Sequence, residues 1–278
     1  MPLPTVAILG SGNMAGAILE GMLAKGLVDT QPVRVTTRSQ ASAAQYDNEP
    51  RVDAISLEQH PEANLDAVRG AQVVVLGVKP QMLGDLLREI ADALQPGTVL
   101  ISLAAGTTIA TIEAAVPAGI RVVRAMPNTP AAIGLGATGI AAGTAADAEA
   151  LQIAETIFAA VGSVVTVDEA KIPAVGAISG SGPAYVYYFI ESLIDAGIEV
   201  GLSEQDAADL AHQTFLGASE LASRQRELGA AELRRRVTSP KGTTEQSIRV
   251  FDESEVRDII SRAIHANIRR SEELAAEA

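Results

Sequence analysis

The chain has 278 residues, a formal net charge of −13, a pI near 4.7 and no cysteine, so its length suits one large or two small domains. The missing cysteines exclude a disulfide framework, a thiolate nucleophile and a Cys-ligated metal site, and the acidic balance argues against nucleic acid as a partner. No apolar run reaches the roughly 18 residues of a membrane span and the N-terminus lacks the basic region of a signal peptide, so we expect a soluble cytoplasmic protein.

Short β-branched runs alternate with helical stretches over the first half of the chain. The buried strand candidates are Val6–Leu9, Val33–Thr37, 73–77, Val99–Ser102 and Arg121–Met126. Apolar residues spaced near 3.6 predict helices over 14–25, 82–94 and 109–115. Two more strands, 137–142 and 164–167, flank a predicted helix over 146–161 and extend the sheet. This alternation predicts an α/β fold with a doubly wound parallel sheet.

After Asp168 the chain is almost wholly helical. Asp168 suits the N-cap of a helix to about residue 178, and Pro183 the first turn of a long helix to about 200. Ser203 and Asp206 resemble a weak capping box for a helix towards 228. A loop around residue 240 and a last helix from about 253 follow. We therefore predict two domains, residues 1–167 and 168–278, the second all-α.

The long helix of the second domain is apolar around most of its circumference. Its large apolar residues are Tyr185, Val186, Tyr187, Tyr188, Phe189, Ile190, Leu193 and Ile194. Such a helix is expected to be buried. Either a partner chain covers it or the first domain does so alone, and the small size of the helical domain favours a partner chain.

A glycine-rich turn follows the first predicted strand and opens the first helix. Gly10-Ser11-Gly12-Asn13-Met14-Ala15 fits the pattern G-x-G-x-x-[GA]. In that pattern the first glycine permits a tight turn, the second lets a pyrophosphate approach the backbone, and the small third residue lets helix and strand pack closely. The helix N-terminus then offers free N–H groups to the phosphates. The motif predicts dinucleotide binding, with a purely structural turn as the alternative.

The end of the second strand distinguishes the two nicotinamide cofactors. An NAD site usually has Asp or Glu there for the ribose 2′-hydroxyl. This chain has Thr37-Arg38-Ser39 instead, and an arginine beside hydroxyl groups suits a 2′-phosphate. NADPH is therefore the preferred cofactor and NADH a possible one. The alternative is that Arg38 is only a solvated surface residue.

Three more segments follow strands at the edge of the sheet where open α/β folds bind ligands. They are Val78-Lys79-Pro80, Ala104-Ala105-Gly106 and the turn that contains Asn128. For Lys79 a solvated strand-end lysine is the alternative.

The segment from Val237 to Thr244 is the most unusual part of the second half. It contains four hydroxyl groups, a proline, a glycine and a lysine between two helices. Such a loop can present N–H groups and hydroxyls to a carboxylate. An ordinary helix–helix connection capped by threonine is the alternative.

Five segments together resemble the pyrroline-5-carboxylate reductase family over nearly the whole chain. They are residues 8–14 (ILGSGNM), 78–81 (VKPQ), 124–131 (RAMPNTPA), 179–186 (SGSGPAYV) and 237–244 (VTSPKGTT). The resemblance implies NAD(P)H-dependent reduction of 1-pyrroline-5-carboxylate to L-proline, the last step of proline biosynthesis. It also implies a Rossmann domain followed by a helical dimerisation domain, and homodimers that often assemble further, commonly into decamers.

The resemblance also implies residue roles. The cofactor positions are Gly10, Ser11, Gly12, Asn13, Met14, Thr37, Arg38, Ser39, Asn64, Val78, Lys79, Pro80, Ala104, Ala105 and Gly106. Asn128 is added as a cofactor candidate from its place at the edge of the sheet. The loop that clasps the substrate carboxylate matches Ser239, Lys241, Gly242, Thr243 and Thr244, with the two threonines in direct contact. Glu227 falls on a position near the substrate ring. We expect Thr244 to position the ring or to deliver a proton.

Two departures from the family pattern affect the substrate side. Many members have glycine where this chain has Lys241, and an apolar pair where it has Glu245 and Gln246. Lys241 either adds a charge-assisted contact to the substrate or points to solvent with Glu245 as its partner.

Reducing an iminium carbon requires mainly that the nicotinamide and the ring be held together, which fits a chain without an evident acid–base histidine. His60, His212 and His265 lie in separate segments without metal-ligand spacing, so no metal site is expected. A β-hydroxyacid-type dehydrogenase, with Lys171 as acid–base, is the nearest enzyme alternative. A non-catalytic cofactor-binding paralogue is the other. The run Arg234, Arg235 and Arg236 is interpreted as a solvated helix face, although the family pattern places Arg236 near the cofactor.

Overall fold

The structure is a computed structural model that describes residues 3–28 and 31–277. Within these residues eight strands form one sheet in the order β3-β2-β1-β4-β5-β6-β7-β8. The strands are β1 Val6–Leu9, β2 Val33–Thr37, β3 Val52–Ser56, β4 Val73–Leu76, β5 Val99–Ser102, β6 Arg121–Met126, β7 Gly136–Ala142 and β8 Gly162–Thr166. Neighbouring strands pair in parallel except β6 and β7, which are antiparallel. The predicted α/β class and the seven predicted strands are thus confirmed.

Helices and short turns connect the strands of this sheet. The helices are α1 Asn13–Ala24, α2 Gln40–Ala43, α3 Ala63–Val68, α4 Pro80–Ile90, α5 Ile109–Ala114, α6 Ala148–Ala159 and α7 Ile172–Val175. The 3₁₀ turns are Ala44–Tyr46, Ala91–Ala93, Thr129–Ile133 and Glu169–Lys171. A π-helical turn, Gly176–Gly180, follows α7. The predicted helices near 14, 82, 109 and 146 are confirmed to within two residues at their N-termini.

Successive residues of the central strands are buried on opposite faces of the sheet. Ile8, Val75 and Ile101 lie in a core shared with α1 and α6. Leu9, Leu76 and Leu100 are buried in a second core, which contains residues of α3, α4 and α5. Because both faces are covered, these strands are continuous apolar runs in the sequence.

One strand and two short helices of the first half are absent from the sequence prediction. β3, with the sequence VDAIS, is an edge strand whose residues are mostly half-buried, and Asp53 interrupts its apolar character. The helices α2 and α3 have only four and six residues, too short to display a clear period. These elements therefore lack the patterns that identify the central strands.

Contacts divide the chain into two compact units. Residues up to Ser181 together with those from Asn267 form the first unit, and Gly182–Ala266 form the second. The second unit contains α8 Gly182–Glu199, α9 Glu204–Arg224, α10 Gly229–Arg236, α11 Thr243–Glu253 and the first half of α12 Val256–Glu277. The second half of α12 belongs to the first unit. The predicted domain boundary at 167/168 stays a prediction.

The helical half differs from its prediction in three places. The expected helix over 168–178 is divided into the turn Glu169–Lys171, α7 and the π-helical turn, with Asp168 at the N-cap position but without a side-chain cap bond. Ser203 does cap α9, since its hydroxyl accepts from the Asp206 N–H at 3.1 Å. The helices α10 and α11 were not predicted, and the last helix begins at Val256, after a turn in which Glu255 has φ +52°.

The apolar helix α8 has no buried residue within this chain. Tyr187 and Tyr188 are 61% and 66% exposed, and Val186, Phe189 and Leu193 are exposed as well. The expectation that a partner chain or the first domain covers this helix stays a prediction.

Candidate active site

The glycine turn lies between β1 and α1 with the geometry that its sequence predicts. Gly10 has φ +85°, and a Cβ atom there would lie 2.9 Å from Val78 Cγ1. The Gly10 N–H donates to the Thr36 carbonyl and hydroxyl oxygens at 3.1 and 3.2 Å, which ties the turn to the end of β2. A residue with a side chain would be strained at this position and would collide with the Val78 turn.

The N-terminus of α1 is open. Gly12 is its N-cap, makes no side-chain cap bond, and has no atom within 4 Å of the place where a Cβ would stand. Asn13 is exposed, Ser11 and Met14 are half-buried, and Ala15 on α1 is buried. The Ser11 hydroxyl lies 2.6 Å from the Tyr46 hydroxyl. Free N–H groups at a 12-residue helix, with room in front of them, fit a dinucleotide pyrophosphate.

Arg38 is exposed immediately after β2. Its neighbours are ordered by local bonds: the Thr37 hydroxyl donates to the Ser39 carbonyl at 3.0 Å, and the Ser39 hydroxyl accepts from the Ser42 N–H at 3.3 Å as the cap of α2. The turn therefore presents a guanidinium and contains no carboxylate between residues 37 and 39, which suits a 2′-phosphate.

Two other predicted cofactor segments lie at the same edge of the sheet. Lys79 is the N-cap of α4, Pro80 occupies its first turn, and both are exposed after Val78. Ala104 is buried after β5, whereas Ala105 is exposed and Gly106 turns the chain with φ +78°. Since β1, β4 and β5 are parallel neighbours, their carboxyl ends bring these segments beside the glycine turn.

Two of the three predicted asparagines, Asn64 and Asn128, are engaged by the protein itself. Asn64 is buried on α3, and its amide donates to Glu89 at 3.2 Å. Asn128 is also buried: its Oδ1 accepts from the Ala137 N–H at 2.8 Å and its Nδ2 donates to the Ser179 carbonyl at 3.0 Å. Asn128 thus joins the turn after β6 to the π-helical turn, which is a positioning geometry.

A cavity of about 760 Å³ adjoins these segments within the first unit. It is lined by Pro80, Gln81, Gly84, Ala105, Gly106, Ser181, Asn267, Arg270, Ser271 and Leu274. Four of the lining residues belong to the second half of α12. The sequence did not predict these four residues, because the whole C-terminal helix was assigned to the second domain. The contacts of residues from Asn267 onwards place the second half of this helix in the first unit.

The hydroxyl loop lies between α10 and α11 in the second unit. Gly242 is the N-cap of α11 without a side-chain cap bond, and Ser239, Thr243 and Thr244 are exposed around it. The Gly242 N–H donates to the Ser239 carbonyl at 3.0 Å and closes the turn. Hydroxyl groups at the open N-terminus of an 11-residue helix provide donors for a small anion.

Lys241 has an unusual backbone conformation in this loop, with φ +61°. Its N–H donates to Glu245 Oε2 at 2.8 Å, and its side chain is exposed. Glu245 therefore contacts the main chain of Lys241. Glu227 lies in the 3₁₀ turn Arg226–Leu228, is exposed, and is separated from the loop by α10.

The remaining candidate groups have simple environments. His60 bonds Asp66 at 2.6 Å, and this bond, with Arg69 as a second partner, lowers the pKa of the Asp66 carboxyl. His212 and His265 are exposed, and Lys171 is exposed beside Asp168 at 3.8 Å. Glu232 pairs with Arg236 and Arg235, whose hydrogen bonds lower its pKa. Among the described residues no cluster of three metal-ligating side chains occurs, and no helix is long and apolar enough to cross a bilayer.

Comparisons with known proteins match this chain along its length. Residues 169–274 match the family profile described as pyrroline-5-carboxylate reductase dimerisation, and residues 5–106 match that of NADP oxidoreductase, coenzyme F420-dependent. A pyrroline-5-carboxylate reductase of Pseudomonas aeruginosa is 40% identical over 276 residues, which cover 99% of this chain and 98% of the relative. One of Corynebacterium melassecola is 38% identical over 98% and 99%.

Solved structures agree with these sequence relatives. The pyrroline-5-carboxylate reductase of Coxiella burnetii has a TM-score of 0.90 at 37% identity and covers 98% of both chains. A pyrroline carboxylate reductase of Plasmodium falciparum with NADP bound has a TM-score of 0.83 at 26% identity and covers 99% of both. With near-complete coverage at up to 40% identity, this chain belongs to the pyrroline-5-carboxylate reductase family.

Proposed function

We propose that this protein reduces the C=N bond of 1-pyrroline-5-carboxylate to give L-proline, with NADPH as the preferred hydride donor and NADH as a weaker one. Family membership makes it an NAD(P)-dependent oxidoreductase. The observation that carries the proposal is a pair of open helix N-termini, α1 after the glycine turn and α11 after the hydroxyl loop. One suits a dinucleotide pyrophosphate and the other a carboxylate.

The cofactor side is proposed to consist of the segments at the carboxyl edge of the sheet. Residues 10–14 receive the pyrophosphate, Arg38 with Thr37 and Ser39 the 2′-phosphate, and residues 78–80 and 104–106 the nicotinamide half. Asn64 and Asn128 are assigned positioning roles, because their amides bond Glu89, Ala137 and Ser179. When bound, NADPH supplies the hydride.

The substrate side is proposed to be the loop of residues 239–244. The N–H groups of Thr243 and Thr244 and the neighbouring hydroxyls hold the carboxylate, while the Gly242 N–H closes the turn on the Ser239 carbonyl. Thr244 positions the ring or delivers the proton to the ring nitrogen. With the nitrogen protonated, the imine carbon accepts a hydride and the product is a secondary amine. The protein's contribution is orientation and exclusion of water. Glu227 stays a weaker candidate because α10 separates it from the loop in sequence.

The assembly is proposed to be a homodimer through the helical domain, residues 168–278, which assembles further into a decamer. The dimerisation profile over 169–274 and the exposed apolar surface of α8 support the dimer. We place the protein in the cytoplasm, with neither membrane nor nucleic acid as a partner.

One assay tests the reaction. Oxidation of NADPH and of NADH is followed with 1-pyrroline-5-carboxylate, beside a light-scattering mass. Turnover with a higher kcat/KM for NADPH and a mass of at least two chains is expected. Oxidation of 3-hydroxyacids with NAD(P)⁺ that disappears in Lys171→Ala would instead favour a β-hydroxyacid-type dehydrogenase. Tight NADPH binding without any imine reduction would indicate a non-catalytic paralogue.

A further inference from the structure

The cavity lined by Ala105, Gly106 and the second half of α12 lies on the nicotinamide side of the sheet. In a doubly wound sheet the dinucleotide crosses from one half to the other, and the residue after β2 contacts the adenosine ribose. The nicotinamide half therefore extends over the β4 and β5 side, where the residues after these strands form one wall of the cavity. Its volume of about 760 Å³ is in the range of small-molecule sites.

A hydrogen bond joins two other lining residues of the cavity that are distant in sequence. Asn267 Nδ2 donates to Ser181 Oγ at 2.9 Å, and both residues line the cavity within the first unit. The Ser181 N–H donates to the Gly176 carbonyl at 2.8 Å, so its backbone is fixed by the π-helical turn. Asn128 holds the same turn through the Ser179 carbonyl. Hydrogen bonds therefore hold Ser181 both at its backbone N–H and at its side-chain oxygen.

The direction of this bond determines what Ser181 offers to a ligand. An amide N–H only donates, so the Ser181 oxygen is the acceptor and keeps its own proton for a second partner. The hydroxyl therefore presents a donor at the wall of the cavity. A neutral carbonyl oxygen is the natural recipient, and the nicotinamide carboxamide contains one.

We propose that Ser181 donates a hydrogen bond to the carboxamide oxygen of the nicotinamide and that Asn267 is a positioning residue, which orients this hydroxyl by donating to it. The proposal rests on the proposed function, because it assigns the cavity to the nicotinamide half of the cofactor. It brings a residue of the C-terminal helix into cofactor recognition. The competing explanation is that the bond only attaches α12 to the sheet.

Three variants separate these explanations. Ser181→Ala removes the hydroxyl. Asn267→Asp keeps a bond between the two residues but reverses it, because a carboxylate only accepts and so takes the Ser181 proton. Ser261→Ala is the matched control: it removes an exposed hydroxyl from the same helix, in the part that belongs to the second unit.

The readout is binding of two ligands by calorimetry on the whole protein. NADPH contains the nicotinamide, whereas 2′-phospho-ADP-ribose has the same phosphates without it. Loss of one hydrogen bond predicts that Ser181→Ala and Asn267→Asp each raise the Kd for NADPH by about three- to tenfold. The Kd for 2′-phospho-ADP-ribose stays unchanged, and the control changes neither. Because both ligands carry the same phosphates, the added charge of the aspartate affects both Kd values equally and cancels in the ratio of the Kd for NADPH to that for 2′-phospho-ADP-ribose.

Two results overturn the inference. If Asn267→Asp binds NADPH like the wild type, the Ser181 proton has no role in recognition. If the binding of both ligands weakens by the same factor, the bond between Asn267 and Ser181 only attaches α12 to the sheet. A failure of the proposed function is distinguishable, since the wild-type protein itself would then bind neither ligand or reduce no 1-pyrroline-5-carboxylate.

Discussion

The backbone N–H of Lys241 donates to the carboxylate of Glu245 at 2.8 Å while Lys241 holds φ +61°, a conformation that costs a non-glycine residue about 1 kcal/mol. Many members of the family have glycine at this position, and glycine adopts the same conformation without that cost. Glu245 thus stabilises the conformation that Lys241 has in the proposed carboxylate loop. Its partner is the main chain of Lys241, and the lysine side chain is exposed.

Removing the Glu245 carboxylate should loosen the loop. In Glu245→Ala the Lys241 N–H loses its acceptor, and we expect the KM for 1-pyrroline-5-carboxylate to rise about fivefold, the equivalent of one hydrogen bond near 1 kcal/mol. The Kd for NADPH should not change. Steady-state kinetics beside cofactor calorimetry measure the two effects separately.

Two further variants test the reason for this effect. Glu245→Gln keeps an acceptor oxygen and should behave nearly as the wild type. Lys241→Gly added to Glu245→Ala should restore the KM, because glycine needs no support at positive φ. A double variant as impaired as Glu245→Ala would show that Glu245 acts by another route. Lys241→Gly alone should leave the KM within about twofold of wild type, because a solvent-exposed ammonium group contributes little to the binding of the substrate.

The central sheet was predictable from local patterns, because β1, β4 and β5 are buried on both faces and are apolar except for Ser102 at the end of β5. The glycine turn was also predictable from a local pattern, because Gly10 and Gly12 act through backbone geometry within one β–α unit. The edge strand β3 was not predictable, because Asp53 and its half-buried neighbours do not form a continuous apolar run.

The helical part was harder to predict because its features depend on contacts that sequence spacing does not show. The second half of α12 joins the first unit through residues such as Asn267 and Leu274, 86 or more positions after Ser181. The hydrogen bonds of Asn128 to Ala137 and Ser179 could not be predicted from the sequence either, and its role at the cofactor stays a prediction.

Thr244 lies exposed in the first turn of α11, where a hydroxyl and an N–H are presented together. If it positions the ring or delivers its proton, Thr244→Ala should lower kcat/KM by about 100-fold, the usual contribution of a general acid. Thr156→Ala, which removes a hydroxyl bonded to the Gln152 carbonyl on α6, is the control and should have no effect. Unchanged kcat/KM in Thr244→Ala would remove the threonine from the mechanism.

Arg38 is the exposed cation after β2 and should determine the choice of cofactor. A charged hydrogen bond contributes about 1.5 to 3 kcal/mol, so Arg38→Ala should raise the KM for NADPH by about 10- to 100-fold and leave that for NADH nearly unchanged. Arg224→Ala on α9, which breaks an exposed pair with Glu220, is the control. Equal losses with both cofactors would contradict contact with the 2′-phosphate.

The pair of Glu49 and Arg51 makes stability depend on acid pH. Hydrogen bonds from the Arg51 side chain and backbone lower the pKa of Glu49 from 4.5 to about 2. A lowered folded-state pKa means that the stabilisation is complete above pH 4.5 and is lost as the pH falls towards 2. Urea unfolding between pH 6 and 2 should therefore give a shallower decline for Glu49→Gln than for the wild type. Parallel curves would show that the pair does not contribute.

The exposed face of α8 should carry the proposed dimer. Leu193 is 47% exposed near the middle of this helix, with Tyr187 and Phe189 also exposed. If a second chain covers Leu193, then Leu193→Glu buries an unpaired carboxylate, which costs several kcal/mol in an apolar interface, so the mass by light scattering should fall towards that of one chain.

Met82→Glu provides the matched comparison, because it adds the same charge to an apolar side chain that is 50% exposed on α4 of the first unit. Its mass should equal that of the wild type. Because the proposed substrate loop belongs to the same helical unit as α8, Leu193→Glu should also raise the KM for 1-pyrroline-5-carboxylate more than the Kd for NADPH. An unchanged mass in Leu193→Glu would mean that the subunits associate through another surface, since a buried carboxylate without a partner is not tolerated at the centre of an interface.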